Sequence, residues 1–199
     1  MFSGIVLAGG KSRRMGEDKR RLLFCGTTLL EISVNRLRKI TDEILVVTGE
    51  EKEDLDIGEV RFVPDIEKNG GPMVGILSGL CEMKNRYGIS TPVDNPLVSE
   101  DFLNYMKEEA IGYDLTVPKW QRGIEPLVAV YSKNVIPVIK ERMTKDEKLA
   151  PHLLVEETNL KVRLIEEHEI CKFGSPEVIF LNINTESDLR KAERLNQLP

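Results

Sequence analysis

Phe2 to Leu7 is a short apolar run that stops at Ala8-Gly9-Gly10. An apolar run of this kind is the pattern of a strand buried on both faces, as central strands of parallel α/β sheets are. Such a strand needs helices above and below it, so the run constrains the architecture of everything that follows. The rest of the chain supplies those helices. Thr28 to Arg38 has helical spacing with Thr27 or Thr28 placed as a cap. Ile44 to Val47 is a second buried strand, ending at Thr48-Gly49, and Val60 to Pro64 is a third, with Asp65 just past its end.

Gly70-Gly71-Pro72 opens a helix over Met73 to Met83, since proline suits a first helical turn. Gly75 and Gly79 share a face of that helix and permit close packing on the sheet. The helix start offers either an anion or ribose site or simple packing. Tyr87 to Val93 is a strand broken at Pro92, and Asp94-Asn95-Pro96 follows it; Ser99 caps a helix through Glu109. Leu115 to Pro118 and Leu127 to Tyr131 are strands around a flexible Trp120–Gly123 loop, where Trp120 is expected to cap the core. Val135 to Met143 is a helix, Pro151 to Val155 starts another, and Val162 to Ile165 is a strand. Ile179 to Ile183 is expected to be the last strand. Thr185 and Asp188 form a capping box for a helix over Glu186 to Leu195. Strands alternate with helices and no linker or repeat interrupts them. The fold class is therefore α/β, a doubly wound, mostly parallel sheet flanked by helices, in one domain over residues 1–199.

The glycine pair matters for chemistry as well. Glycines let backbone N–H groups approach a ligand, and successive N–H groups in such a turn form an anion-binding concavity. Lys11, Arg13, Arg14, Lys19, Arg20 and Arg21 follow, against only Glu17 and Asp18, in a chain whose net charge is −5. A local basic site on an acidic protein suits a small anion and argues against a general nucleic-acid binder. Two familiar phosphate loops do not match. Glu17 follows Gly16 where a P-loop has Lys, and Gly9 and Gly10 are adjacent where a dinucleotide fingerprint needs a spacer. Asp94 lies at the carboxyl end of a strand, where open sheets bind ligands. It is either a turn former or a carboxylate for the Mg²⁺ that accompanies a bound triphosphate. Asn182 and Asn184 alternate along their strand end, to fix a polar ligand or to form the turn.

Other chemistries find little support. The three cysteines, Cys25, Cys81 and Cys171, lack metal-ligand or disulfide spacing and are read as small apolar residues in a reducing compartment. His152 and His168 are read as structural. Glu50 to Asp56 is read as solvated surface. No signal-peptide pattern or membrane-length apolar run is present, so a cytoplasmic protein without a membrane partner is expected.

Taken together, Leu7-Ala-Gly-Gly-Lys-Ser-Arg-Arg-Met-Gly-Glu-Asp-Lys19 resembles the signature of Rossmann-like nucleotidyltransferases. It is most similar to the MobA-type branch, which makes molybdopterin guanine dinucleotide. Gly71–Ile76, Glu125–Tyr131 and Leu181–Thr185 are similar to that family as well, in the same order along the chain. The resemblance implies the nucleotide-diphospho-sugar transferase type of sheet, with a GTP-binding N-terminal part and a molybdopterin-binding C-terminal part. It implies transfer of GMP from GTP to the terminal phosphate of molybdopterin. Leu7, Ala8 and Gly9 would contact the nucleotide, Lys19 its phosphates, and Arg14 the departing pyrophosphate. Asp65 would sit near base or ribose, Asp94 would bind Mg²⁺ and the nucleotide, and Asn182 and Asn184 would face molybdopterin. By role, Arg14, Lys19 and Asp94 are the catalytic set. A related reading uses CTP, or another phosphorylated acceptor. The resemblance also leads us to expect a monomer, with molybdoenzyme maturation proteins as partners. One departure stands out: the family usually has Cys-Asp-Met-Pro around the metal aspartate, and this chain has Val93-Asp94-Asn95-Pro96.

Overall fold

The computed structural model describes residues 1–9, 18–49, 57–67, 70–145 and 147–196. Arg14 and the rest of the basic loop over 10–17 lie outside them, as does the acidic stretch 50–56.

Strand β1 (Phe2–Leu7) leads to a 3₁₀ turn at Lys19–Arg21 and a small hairpin of β2 (Leu23–Phe24) and β3 (Thr27–Thr28). Helix α1 (Leu29–Arg38) follows, then β4 (Glu43–Val47), β5 (Arg61–Val63), α2 (Gly71–Glu82) and β6 (Tyr87–Pro92). Next come α3 (Glu100–Glu109), β7 (Leu115–Trp120), β8 (Gly123–Ile124), β9 (Ala129–Ser132) and α4 (Val135–Thr144). The chain closes with a 3₁₀ segment at Pro151–Glu156, β10 (Val162–Glu166), the short helices α5 (Glu167–Ile170) and α6 (Pro176–Ile179), and α7 (Glu186–Asn196).

The sheet runs β10-β7-β9-β6-β1-β4-β5, with β8 paired to β7. β9 is antiparallel to both neighbours, and the other pairings along that order are parallel. The sheet is thus mixed and mostly parallel, as expected, with β9 and the short β8 reversed. Side chains alternate cleanly between its faces. Ile44 and Val46 of β4 join one apolar layer with Leu30, Leu37, Phe102 and Ile179, from α1, α3 and α6. Leu45 and Val47 join the other with Met73, Ile76, Leu77 and Ile139, from α2 and α4. β1 contributes to both layers through Val6 and Ile5, which is what a run apolar on both faces requires.

Local chemistry explains several of these elements. Thr28 caps α1 in a full capping box with Glu31, Thr28 Oγ1 accepting from the Glu31 N–H at 3.2 Å. The expected capping box of α7 is also present, with Thr185 Oγ1 accepting from the Asp188 N–H at 3.2 Å and donating to Asp188 Oδ2 at 2.8 Å. Gly79 does pack on the sheet: a Cβ there would come within 2.7 Å of Ile5 Cγ2.

Four expectations need correction. β6 keeps Pro92 as its last residue, paired to Leu7 of β1, rather than breaking there. Its pairing with β9 stops at Ser90, so on that side Pro92 interrupts no ladder. Trp120–Gly123 is not a loose loop but a hairpin, with Trp120 opposite Gly123. Ile179–Ile183 is not a strand, because Pro176 starts α6 and the chain then runs irregularly to α7. The three cysteines, read as small apolar residues, are free and exposed to solvent.

Trp120 meets its expectation. It is 7 % exposed, packs its ring against Phe180 and donates Nε1–H to Glu125 Oε1 at 2.8 Å. Burial raises the Glu125 carboxyl above its ordinary range, and the Trp120 hydrogen bond partly opposes that.

Candidate active site

After β1 the chain moves to β4 and β5 on one side, then returns to β6 on the other. That reversal is a topological switch point, and open parallel sheets bind ligands in the crevice outside the carboxyl ends of the strands there. Leu7 to Gly9, Thr48-Gly49, Asp65 and Asp94 all follow the carboxyl ends of strands along this one edge. Backbone hydrogen bonds continue the sheet past its ladders. Ala8 N–H donates to Val47 O at 2.8 Å, Val93 N–H to Leu7 O at 3.1 Å, and Asp65 N–H to Gly49 O at 2.7 Å.

The first half of the site surrounds Asp65. A Cβ on Gly9 would lie 3.8 Å from Asp65 Oδ2, and one on Gly75 would lie 3.6 Å from Asp65 Oδ1. Gly49, at φ +77°, has Asp65 Oδ2 within 3.9 Å of the same position. Three residues without side chains therefore leave a recess around one carboxylate. Asp65 Oδ1 is buried and has no hydrogen-bond partner among the described residues. Burial raises the pKa of Asp65 above the ordinary value. An oriented acceptor left without a donor in a glycine-lined recess suits a ligand that brings hydroxyl or N–H groups.

The second half centres on Lys19. Its Nζ donates to Asp94 Oδ2 at 2.8 Å and to Asn184 Oδ1 at 2.7 Å. The lysine leaves a tight 3₁₀ turn, whose cap is Asp18 Oδ1 accepting from Arg20 N–H at 3.0 Å. Asn184 is held by its own backbone, its N–H donating to Asp188 Oδ2 at 3.1 Å beyond the start of α7. The chain before it is pinned to Asp94 by Ile183 N–H donating to Asp94 O at 2.8 Å. Asn95 Nδ2 donates to Asn182 Oδ1 at 3.4 Å. Asn182 thus reaches the Asp94-Asn95 turn directly and Asn184 through Lys19, though not as alternating residues of a strand.

The expected residues therefore sort into groups. Leu7, Ala8 and Gly9 lie with Asp65 at the ends of β1 and β5. Lys19 is in direct contact with both Asp94 and Asn184, and Asn182 meets Asn95 beside Asp94. Arg14 lies outside the described residues. The sequence reading missed Gly49 and the role of Gly75 beside Asp65. A glycine two residues past a buried strand was the available signal for Gly49. It also missed Arg36, which is 6 % exposed on α1 and donates to the carbonyl oxygens of Asn95 and Pro96. No pattern within α1 marks an arginine whose partners lie far along the chain.

Among the described residues no three His, Cys, Asp or Glu side chains gather as a metal cage. Asp94 nevertheless suits a hard cation that keeps water and phosphate oxygens among its ligands, because Mg²⁺ in phosphate sites takes only one or two carboxylates from the protein.

The chain as a whole is similar to several known proteins. A family model described as the MobA-like NTP transferase domain matches residues 4–160. A protein of Pelotomaculum thermopropionicum, named probable molybdenum cofactor guanylyltransferase, is 34 % identical over 96 % of this chain and 91 % of its own length. One of the same name from Methanosarcina mazei is 36 % identical, over 94 % of this chain and 88 % of its own. The crystal structure of molybdopterin-guanine dinucleotide biosynthesis protein A from Archaeoglobus fulgidus superposes with a TM-score of 0.80 at 26 % identity, covering 98 % of both chains.

Proposed function

We propose a function from one premise: the chain belongs to the MobA-like NTP transferase family. The activity proposed is transfer of GMP from GTP to the terminal phosphate of molybdopterin, releasing pyrophosphate. The observation that carries it is the Lys19 contact with both Asp94 and Asn184, which joins the expected nucleotide half to the expected acceptor half through one ammonium group.

The reaction forms a bond from an acceptor phosphate oxygen to the α-phosphorus of GTP. It breaks the bond from that phosphorus to the oxygen bridging to the β-phosphate. A phosphate monoester has its second pKa near 6, so at neutral pH the nucleophile is already largely anionic and needs no protein base. The task is to bring two anions together in line and to stabilise the departing pyrophosphate. The Gly9 region would bind the nucleotide through its backbone. Asp65, whose buried oxygen lacks a donor among the described residues, would accept from the ribose or the guanine. Lys19 would neutralise phosphate charge, with Arg14 assisting the pyrophosphate. Asn182 and Asn184 would orient the molybdopterin side. Asp94 would hold Mg²⁺, whose chemistry when bound is to neutralise phosphate charge. The protein is proposed to act in the cytoplasm; no helix among the described residues is long and apolar enough to cross a membrane.

The test is pyrophosphate release by the purified protein with GTP, Mg²⁺ and molybdopterin. Lys19→Ala and Asp94→Ala are each expected to lower the rate by about a hundred- to a thousand-fold while keeping the fold. A folded variant that turns over like the unmodified protein contradicts the assignment.

A further inference from the structure

Asp94 sits in an irregular segment between β6 and α3, with no ladder of its own to satisfy its carbonyl oxygens. Three successive carbonyls of this segment are nevertheless bound from outside it. Asp94 O accepts from Ile183 N–H at 2.8 Å. Asn95 O accepts from Arg36 Nη1 at 3.1 Å, and Pro96 O accepts from Arg36 Nη2. Burying a guanidinium is costly, and here burial pushes its pKa down to about 10. The charge is spent on main-chain carbonyls, whose planar-fork recognition fixes orientation as well as position.

The same helix governs Lys19. Leu29 N–H, the first residue of α1, donates to Leu22 O at 2.9 Å, and Leu22 N–H donates to Lys19 O at 3.2 Å. Lys19 and Asp94 are therefore both indexed to α1, one through its first turn and the other through Arg36.

We propose that Arg36 is a positioning residue for nucleotidyl transfer: by holding the Asn95 and Pro96 carbonyls it sets the Asp94 carboxylate opposite Lys19, with α1 as the common strut. Arg36 touches no substrate. The assignment rests on the guanylyl-transfer reading above. The alternative is that Arg36 only fills the interior and satisfies two carbonyls.

Two measurements separate these roles. The first is Mn²⁺ binding, followed by electron paramagnetic resonance, to the full chain with a GTP analogue whose α,β-bridge cannot be cleaved. The second is kcat and KM for GTP. Arg36→Met is expected to weaken Mn²⁺ binding about tenfold and to lower kcat about a hundredfold, the scale of a small misplacement of a reacting group, with little change in KM. Arg36→Lys, which keeps the charge but cannot span two carbonyls, is expected to recover part of both losses. A folded Arg36→Met protein with unaltered Mn²⁺ affinity and kcat overturns the proposal. If Arg36→Met does not fold, Arg36→Lys decides: reduced Mn²⁺ affinity and kcat support it, and unmodified values overturn it. Failure of the unmodified protein to transfer GMP while Mn²⁺ binding still depends on Arg36 refutes the reaction and leaves the positioning role standing. Absence of Mn²⁺ binding in the unmodified protein refutes Asp94 as the metal carrier and the proposal with it.

Discussion

At the scale of single residues, Asp65 shows the tension between stability and use most clearly. Its recess of Gly9, Gly49 and Gly75 buries a carboxyl oxygen that has no partner among the described residues. Desolvation raises its folded-state pKa above the unfolded value. Between those two values the folded form binds more protons, so the contribution favours folding below the unfolded value and is lost as pH rises through the folded one. At neutral pH the ionised group therefore counts against folding. Asp65→Asn is expected to raise the melting temperature at pH 7 by a few degrees, with the gain shrinking in acid. The same change should weaken GTP binding by about ten- to a hundredfold, the scale of a lost charged hydrogen bond. Thermal melts at several pH values and nucleotide titration check both; a lower melting temperature at pH 7 with normal GTP affinity contradicts this role. Asp65 and Asp94 were legible in the sequence because each follows the end of a strand. Arg36 was not, because its partners, Asn95 and Pro96, meet it only in the folded chain.

At the scale of elements, the close packing of α2 on β1 was legible and the C-terminal crossover was not. Gly75 and Gly79 share a helix face, and that spacing predicts a close approach to the sheet. Gly79→Ala tests it. Alanine favours a helix over glycine by about 1 kcal/mol. Here, however, the new Cβ would meet Ile5 Cγ2 at 2.7 Å, and overpacking a filled core typically costs about 1–3 kcal/mol. Net destabilisation in urea unfolding is expected; a more stable variant would show that the helix can retreat from the sheet. The run Ile179-Phe180-Leu181 misled because a short apolar run fits a buried strand or a buried helical turn equally well. Pro176 at the start of α6 decided it, and Ile179, Phe180 and Ile183 are buried against the layer that holds α1 and α3 rather than in a ladder. The asparagines still arrive at the site, because Ile183 N–H on Asp94 O replaces the missing strand pairing.

At the scale of the whole molecule, the fold brings residues from both ends of the chain to the switch point between β1 and β6. The alternation of strands and helices made the sheet legible. The reversed strand β9 was not, since an apolar run carries no record of its direction. Lys19 reaches Asp94 across 75 residues of sequence and Asn184 across 165, and no local pattern encodes either contact. The proposed activity depends on joining the expected nucleotide half to the expected acceptor half in this way. It is tested most directly by incubating the purified protein with Mg²⁺, molybdenum-loaded molybdopterin and equal GTP, CTP, ATP and UTP, and identifying the product by mass spectrometry. Molybdopterin guanine dinucleotide, formed together with pyrophosphate and depending on Lys19, is the predicted result. A cytosine dinucleotide, or consumption of GTP without transfer to molybdopterin, would contradict it.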